Sequence, residues 1–174
     1  MEQPEQEWIY ATSLNNRARY VLGTQGERPL LCVGVNPSTG QPGELNGTLK
    51  SVRRMAQLHG FDSWLMVNLY PQRTVDPNKL DRRCNREYHQ QNLACIRELL
   101  ETHRPTIWAA WGTLIEKRPY LLSCLRDLYQ VSEAYPWVTI GPTSKRGHPH
   151  HPLYLRSDAP LEPFPMADYL ASLG

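Results

Sequence analysis

No apolar run in this 174-residue chain approaches the length of a bilayer span, so a transmembrane protein is not expected. No signal-peptide pattern opens it either. Met1-Glu2-Gln3-Pro4-Glu5-Gln6-Glu7 is acidic and polar, the wrong chemistry for a secretory n-region. Residues 1–7 are expected to be a loose tail on a single domain over 1–174, and the protein to be cytoplasmic. An excess of one charge is also missing. The formal net charge of +2 permits a phosphate-bearing partner without demanding one. The four cysteines, Cys32, Cys84, Cys95 and Cys124, include no pair with metal-ligand or redox spacing, so reduced thiols are expected. Internal repeats, low-complexity segments and linkers are lacking too. What remains is a chain with 40% hydrophobic residues, enough for one domain with a real core.

The centre of that domain is Leu30-Leu31-Cys32-Val33-Gly34-Val35-Asn36-Pro37-Ser38-Thr39. Its first half has the apolar, β-branched character of a strand buried on both faces. Pro37 donates no N–H and must end the strand. Asn36, held extended before it, is presented at the strand's end beside Ser38 and Thr39. In open α/β sheets that end is where ligands bind. The plainer alternative is an Asn-Pro turn leaving a strand.

Trp8 to Leu14 and Arg17 to Leu22 flank Asn15-Asn16, which predicts an edge hairpin with a two-residue turn. The glycine- and proline-punctuated stretch 40–47 is a loop of the kind that contacts ligand. A helix is predicted from Thr48 to His59. Trp64 to Leu69 is a second apolar strand, and it too delivers an asparagine, Asn68. Paired amides can read donors and acceptors on a planar ligand. Asn85 to His103 reads as a long helix, and Thr106 to Trp111 as a third strand ended by Gly112. Thr113 and Glu116 have capping-box spacing, so a helix is predicted directly off that strand, broken or kinked at Pro119. Trp137 to Ile140 is a fourth strand.

The loop after it carries Lys145, Arg146, His148, His150 and His151. It offers no carboxylate or thiolate at metal-ligand spacing, so no metal and no other cofactor is expected. A fixed imidazole at the edge of a site is one reading, and a surface loop with incidental histidines the other. The tail is proline-rich and closes in a short helix with Met166, Tyr169 and Leu170. The pattern predicts a three-layer α/β/α sandwich with a mostly parallel four-stranded central sheet plus an N-terminal edge hairpin.

Several of these stretches together resemble a bacterial and phage family of unknown function, DUF1643. They are Val33 to Thr39, Val67-Asn68-Leu69-Tyr70, Arg73-Thr74, Ala110-Trp111-Gly112 and Gly147 to Leu155. One departure is Leu45-Asn46-Gly47-Thr48, which stands where that family usually has an acidic Asp-Pro-Thr-type segment. The layout is also similar to the uracil-DNA glycosylase superfamily. Gly34-Val35-Asn36-Pro37 is similar to the Gly-Ile-Asn-Pro motif of its mismatch-specific branch. Asn68, Trp111-Gly112 and His151-Pro152-Leu153 stand where that superfamily has a base-reading Asn, a Trp-Gly and a His-Pro motif. Tyr154-Leu155 do not copy the small wedge residue that normally follows.

The second resemblance implies a uracil-DNA-glycosylase-like fold and a pocket for a nucleobase, a nucleotide or a flipped base of DNA. Asn68 would bond the base edge, Asn36 would hold a water, and His151 would stabilise charge on the departing base. Tyr70 or Trp111 is expected to stack on the ring, with Ser38, Thr39 and His148 contacting the ligand. Arg73, Lys145 and Arg146 are expected to hold phosphates. A non-catalytic binder on the same scaffold is the first alternative. A hydrolase or transferase using Ser38 or Thr39 with His148 or His151 as base is the second.

Overall fold

The computed structural model describes residues 7–174. The expected loose tail therefore lies, except for Glu7, outside the described residues. The N-terminal hairpin is formed by β1 (Trp8–Thr12) and β2 (Arg19–Thr24), paired antiparallel. Its turn is longer than two residues. Ser13 N donates to Ala18 O at 2.9 Å, leaving Leu14 to Arg17 between them. A two-residue turn of the primed type needs left-handed backbone at both central positions. Only Asn16 supplies it, with φ 59°. Asn15 instead accepts hydrogen bonds from Ser13 Oγ and Arg17 N.

The apolar runs become β3 (Pro29–Gly34), β4 (Ser63–Asn68), β5 (Thr106–Ala109) and β6 (Trp137–Ile140). These four strands are mutually parallel in the order β4-β3-β5-β6. The sheet is larger than four strands and a hairpin. A seventh strand, β7 (Leu161–Pro163), pairs antiparallel with β6 and completes the order β1-β2-β4-β3-β5-β6-β7. Three residues flanked and ended by proline carry no periodicity to read. An edge strand is where such a proline is tolerated.

Helices α1 (Gly47–Leu58), α2 (Arg86–His103), α3 (Pro119–Ser132) and α4 (Met166–Ser172) connect and follow the strands. Asn46 and Asn85 cap α1 and α2, accepting from Leu49 N and Tyr88 N. The segment after β5 departs from expectation. Gly112–Lys117 is a 3-10 helix without a side-chain cap. Glu116 does not close a capping box, because its carboxylate is bound by Arg146. Pro119 does not break a helix but starts α3, in the first turn, where a missing N–H costs nothing.

Two apolar clusters lie on opposite faces of the sheet. Leu49, Val52, Met55 and Ala56 of α1 pack with Leu30, Cys32, Met66 and Trp108. Residues of α2, α3 and α4, among them Ile96, Leu100, Leu125 and Tyr169, pack with Leu31, Val33, Leu65 and Ile107. Alternate residues of β3 thus serve opposite layers, as a period of two requires. Each fully buried leucine or valine contributes about 1.5–3 kcal/mol. All four cysteines are free thiols. Among the described residues no helix is long and apolar enough to cross a membrane.

Candidate functional site

Four parallel strands point their carboxyl ends at one edge of the sheet, and a cavity of about 770 Å³ opens there. That volume suits a small organic ligand. Its walls come from segments far apart in the chain. They are Arg19 at the start of β2, the β3 exit (Gly34 to Ser38), the start of α1, the end of β4, residues 74–77, the turn after β5 and the histidine loop. Asn36, Asn68 and His151 all line this one cavity, with Ser38 and His148.

Asn68 is the last residue of β4 and is only 1% exposed. Its backbone carbonyl accepts from Asn92 Nδ2 at 2.8 Å. Its side-chain amide has no such partner: neither Nδ2 nor Oδ1 makes a hydrogen bond among the described residues. A buried unpaired donor or acceptor costs about 1–3 kcal/mol, and here one of each sits side by side.

Asn36 is committed differently. Its Nδ2 donates to Pro37 O at 3.0 Å, Gln72 O at 3.3 Å and Thr74 O at 3.0 Å. The carboxamide thereby ties the β3 exit to the loop after β4, which leaves its oxygen for a ligand or water. Ser38 Oγ accepts from Asn46 Nδ2 at 3.2 Å, so it too is partly engaged by the cap of α1.

His151 is held by its own turn: its Nδ1 accepts from Leu153 N at 3.1 Å. The ring proton therefore sits on Nε2, and the imidazole is a neutral donor. Burial lowers its pKa from 6.5, and the neighbouring His150 adds to the shift. Gly112, with φ 59°, brings the β5 turn against this residue. A Cβ there would lie 3.5 Å from His151 Cβ.

His148 is 1% exposed. Its Nδ1 meets Tyr169 Oη at 2.7 Å, and that oxygen accepts from Trp111 Nε1 at 2.8 Å. Tyr169 is kept protonated, its pKa raised to about 12 chiefly by burial. The hydroxyl and His148 Nδ1 share one hydrogen bond, and the other ring nitrogen, Nε2, faces away from it. That nitrogen is buried, has no hydrogen-bond partner among the described residues, and lies 3.8 Å from Glu116 Oε2.

Other expected contacts lie elsewhere. Tyr70 and Trp111 are fully buried in the core and do not line the cavity, so neither is free to stack on a ligand. Tyr70 packs on Tyr88 and Tyr120 and its hydroxyl accepts from Asn85 N. Thr39 offers its carbonyl to Asn46 and Arg19 and its side chain does not line the cavity. Arg73 is a clamp: it donates to Ser38 O, Gly40 O, Tyr10 Oη and Asn16 Oδ1. Arg146 is paired with Glu116, and Lys145 is exposed away from the cavity.

The sequence reading missed three residues at or behind the site: Arg19, Asn46 and Tyr154. Arg19 lines the cavity and is 2% exposed. Its one signal was a permanent cation placed next to the apolar run of a strand. Tyr154 stands at the rim, 93% exposed, with a left-handed φ of 64°. A non-glycine residue in that region stores strain, which marks functional segments. Among the described residues no Asp or Glu lines the cavity. Among the described residues no group of His, Cys, Asp and Glu is arranged to hold a metal ion.

Fold and site together define an α/β protein with a ligand-sized cavity, lined by polar and apolar side chains, at the carboxyl edge of its parallel strands. The chain belongs to the DUF1643 family, described as a protein of unknown function, whose model matches residues 19–153. The match spans every segment that walls the cavity except Tyr154. No curated protein and no solved structure matches the chain.

Proposed function

We propose that the cavity binds a nucleobase or nucleotide and that the fold is uracil-DNA-glycosylase-like. The observation that carries this is the Asn68 carboxamide, buried at the cavity with donor and acceptor both unpaired. A ring bearing a carbonyl next to an N–H satisfies both atoms at once. Uracil, hypoxanthine and guanine have such an edge. Tyr154 is the aromatic residue exposed at the rim and is the group that stacks on the ring. His148 and Ser38 supply further polar contacts.

In the catalytic form of this reading, the protein cleaves an N-glycosidic bond in DNA or in a nucleotide. Asn36 Oδ1 orients a water below the sugar. The water oxygen bonds to C1′, the C1′–N bond breaks, and its electron pair stays on the base. His151 Nε2–H stabilises the charge that gathers on the base oxygen. The proton lost by the water ends on the departing base. A neutral imidazole suits this role, since it donates without having to lose a positive charge.

A non-catalytic binder is the second reading, and one observation favours it. Among the described residues no carboxylate lines the cavity, so none of them offers a carboxylate base to activate the water. Four free thiols fit a reducing compartment and support a cytoplasmic protein. The test is cleavage of uracil-, hypoxanthine- and mismatch-containing DNA. Activity lost in both Asn36→Ala and His151→Ala supports the enzyme. Base or nucleotide binding without turnover supports the binder. If neither cleavage nor binding of any base, nucleoside or nucleotide is found, the reading fails.

A further inference from the structure

Among the described residues, Arg19 is the only arginine or lysine that lines the cavity, and no acidic residue lines it. A buried guanidinium ordinarily has a carboxylate partner. Here none of the salt bridges among the described residues involves Arg19. Its hydrogen-bond partners are two neutral carbonyls: Nη1 donates to Thr39 O at 3.2 Å and to Gly40 O at 3.4 Å. Its Nε is buried without a partner, and its Nη2 makes no hydrogen bond among the described residues. Burial lowers its pKa to about 10, the charge of Arg73 adds to this, and Tyr10 opposes it. At neutral pH it remains a cation.

The start of α1 lies at the same place. Asn46 Nδ2 donates to Thr39 O at 2.9 Å, the carbonyl that Arg19 also holds. The Asn46 cap takes Leu49 N, while the amides of Gly47 and Thr48 make no hydrogen bond among the described residues. Thr48 lines the cavity. A helix N-terminus and an uncompensated guanidinium both favour an anion.

We propose that Arg19 and the first turn of α1 form a phosphate subsite inside the cavity, and that the occupant is a free nucleoside monophosphate. The base part of this rests on the reading of Asn68 above; the phosphate part rests on Arg19. A free mononucleotide fits better than a polynucleotide because Arg19 is buried within the cavity, where the phosphate must be carried in. Two of the side chains that would track a strand outside, Arg73 and Arg146, are already occupied.

Two measurements separate the parts. Thermal unfolding is followed in inorganic phosphate against sodium chloride of matched ionic strength. Binding is titrated with nucleosides, their 5′-monophosphates and a short single-stranded oligonucleotide. Phosphate is expected to raise the melting temperature of the wild-type protein and not that of Arg19→Met. The monophosphate is expected to bind at least about tenfold tighter than its nucleoside, and Arg19→Met to abolish that difference. Arg19→Lys, which keeps the charge, is expected to retain part of the preference and serves if Arg19→Met does not fold.

Equal binding of nucleoside and monophosphate, with no protection by phosphate, overturns the subsite and leaves the base reading intact. Protection by phosphate, lost in Arg19→Met, with no nucleoside or nucleotide bound, upholds the anion site and sinks the base reading. An oligonucleotide that binds tighter than the monophosphate overturns the free nucleotide as occupant.

Discussion

Gly34 and Asn68 are register partners at the ends of β3 and β4, and a Cβ on Gly34 would lie 2.9 Å from Asn68 Oδ1. It would also lie 2.8 Å from Met66 Cε. The missing side chain at position 34 is therefore what leaves room for the carboxamide in its present rotamer. Gly34→Ala is expected to displace that amide, lower stability by about 1–3 kcal/mol and weaken ligand binding. Urea unfolding and a binding titration on the same variant check both effects.

Asn68→Leu separates function from stability. It replaces an unpaired buried donor and acceptor by an apolar group of similar size. Stability is expected to hold or to rise by about 1 kcal/mol, while binding of any base or nucleotide is lost. A marked fall in stability would mean that the amide is satisfied within the protein, and the base-reading role would fall with it.

The histidine loop predicts a pH dependence. The pKa of His151 in the folded protein lies below its ordinary value of 6.5, through burial first and His150 second. Protonation thus favours the unfolded chain. The contribution of this residue is complete above the unfolded-state value. It is lost as the pH falls from there towards the folded-state value, and it levels off below. His151→Asn keeps an acceptor for Leu153 N, since an asparagine oxygen caps the same i to i+2 turn. The variant is expected to fold, to lose part of the acid slope in melting temperature, and to lose any glycosidic turnover.

Tyr154 carries the opposite trade. Its left-handed backbone costs about 1 kcal/mol for an aromatic residue, and asparagine tolerates it. Tyr154→Asn is expected to melt at a higher temperature and to bind a base less tightly. Loss of affinity with no gain in stability would show that the strain is absent; gain without loss would remove Tyr154 from the site.

Much of the fold was legible because long elements announce themselves. β3, β4, β5 and β6 are apolar runs ended by Asn, Gly or Pro, and α1 and α2 have periodic apolar faces. β7 was not legible, because three residues hold no period. The 3-10 segment after β5 was missed because Glu116 prefers a charged partner thirty residues on to its own helix cap. At the site, strand-end placement pointed to Asn36 and Asn68 and the His-Pro stretch of the last loop to His151, and the three share one cavity. Tyr70 and Trp111 misled because an aromatic ring near a strand end serves a core as readily as a ligand. Arg19 escaped notice because sequence shows a cation but not whether a carboxylate will stand beside it.

The fastening of the cavity wall has a kinetic meaning. Asn36 and Arg73 stitch the segment before α1 to the bend after β4 through four bonds, from Asn36 to Gln72 and Thr74 and from Arg73 to Ser38 and Gly40, and Arg73 also holds Tyr10 and Asn16 of the hairpin. Such a wall does not have to be ordered by its guest, so little entropy is surrendered on encounter. Capture should then proceed in one step at a rate set by collision, with no slow phase for a closing flap.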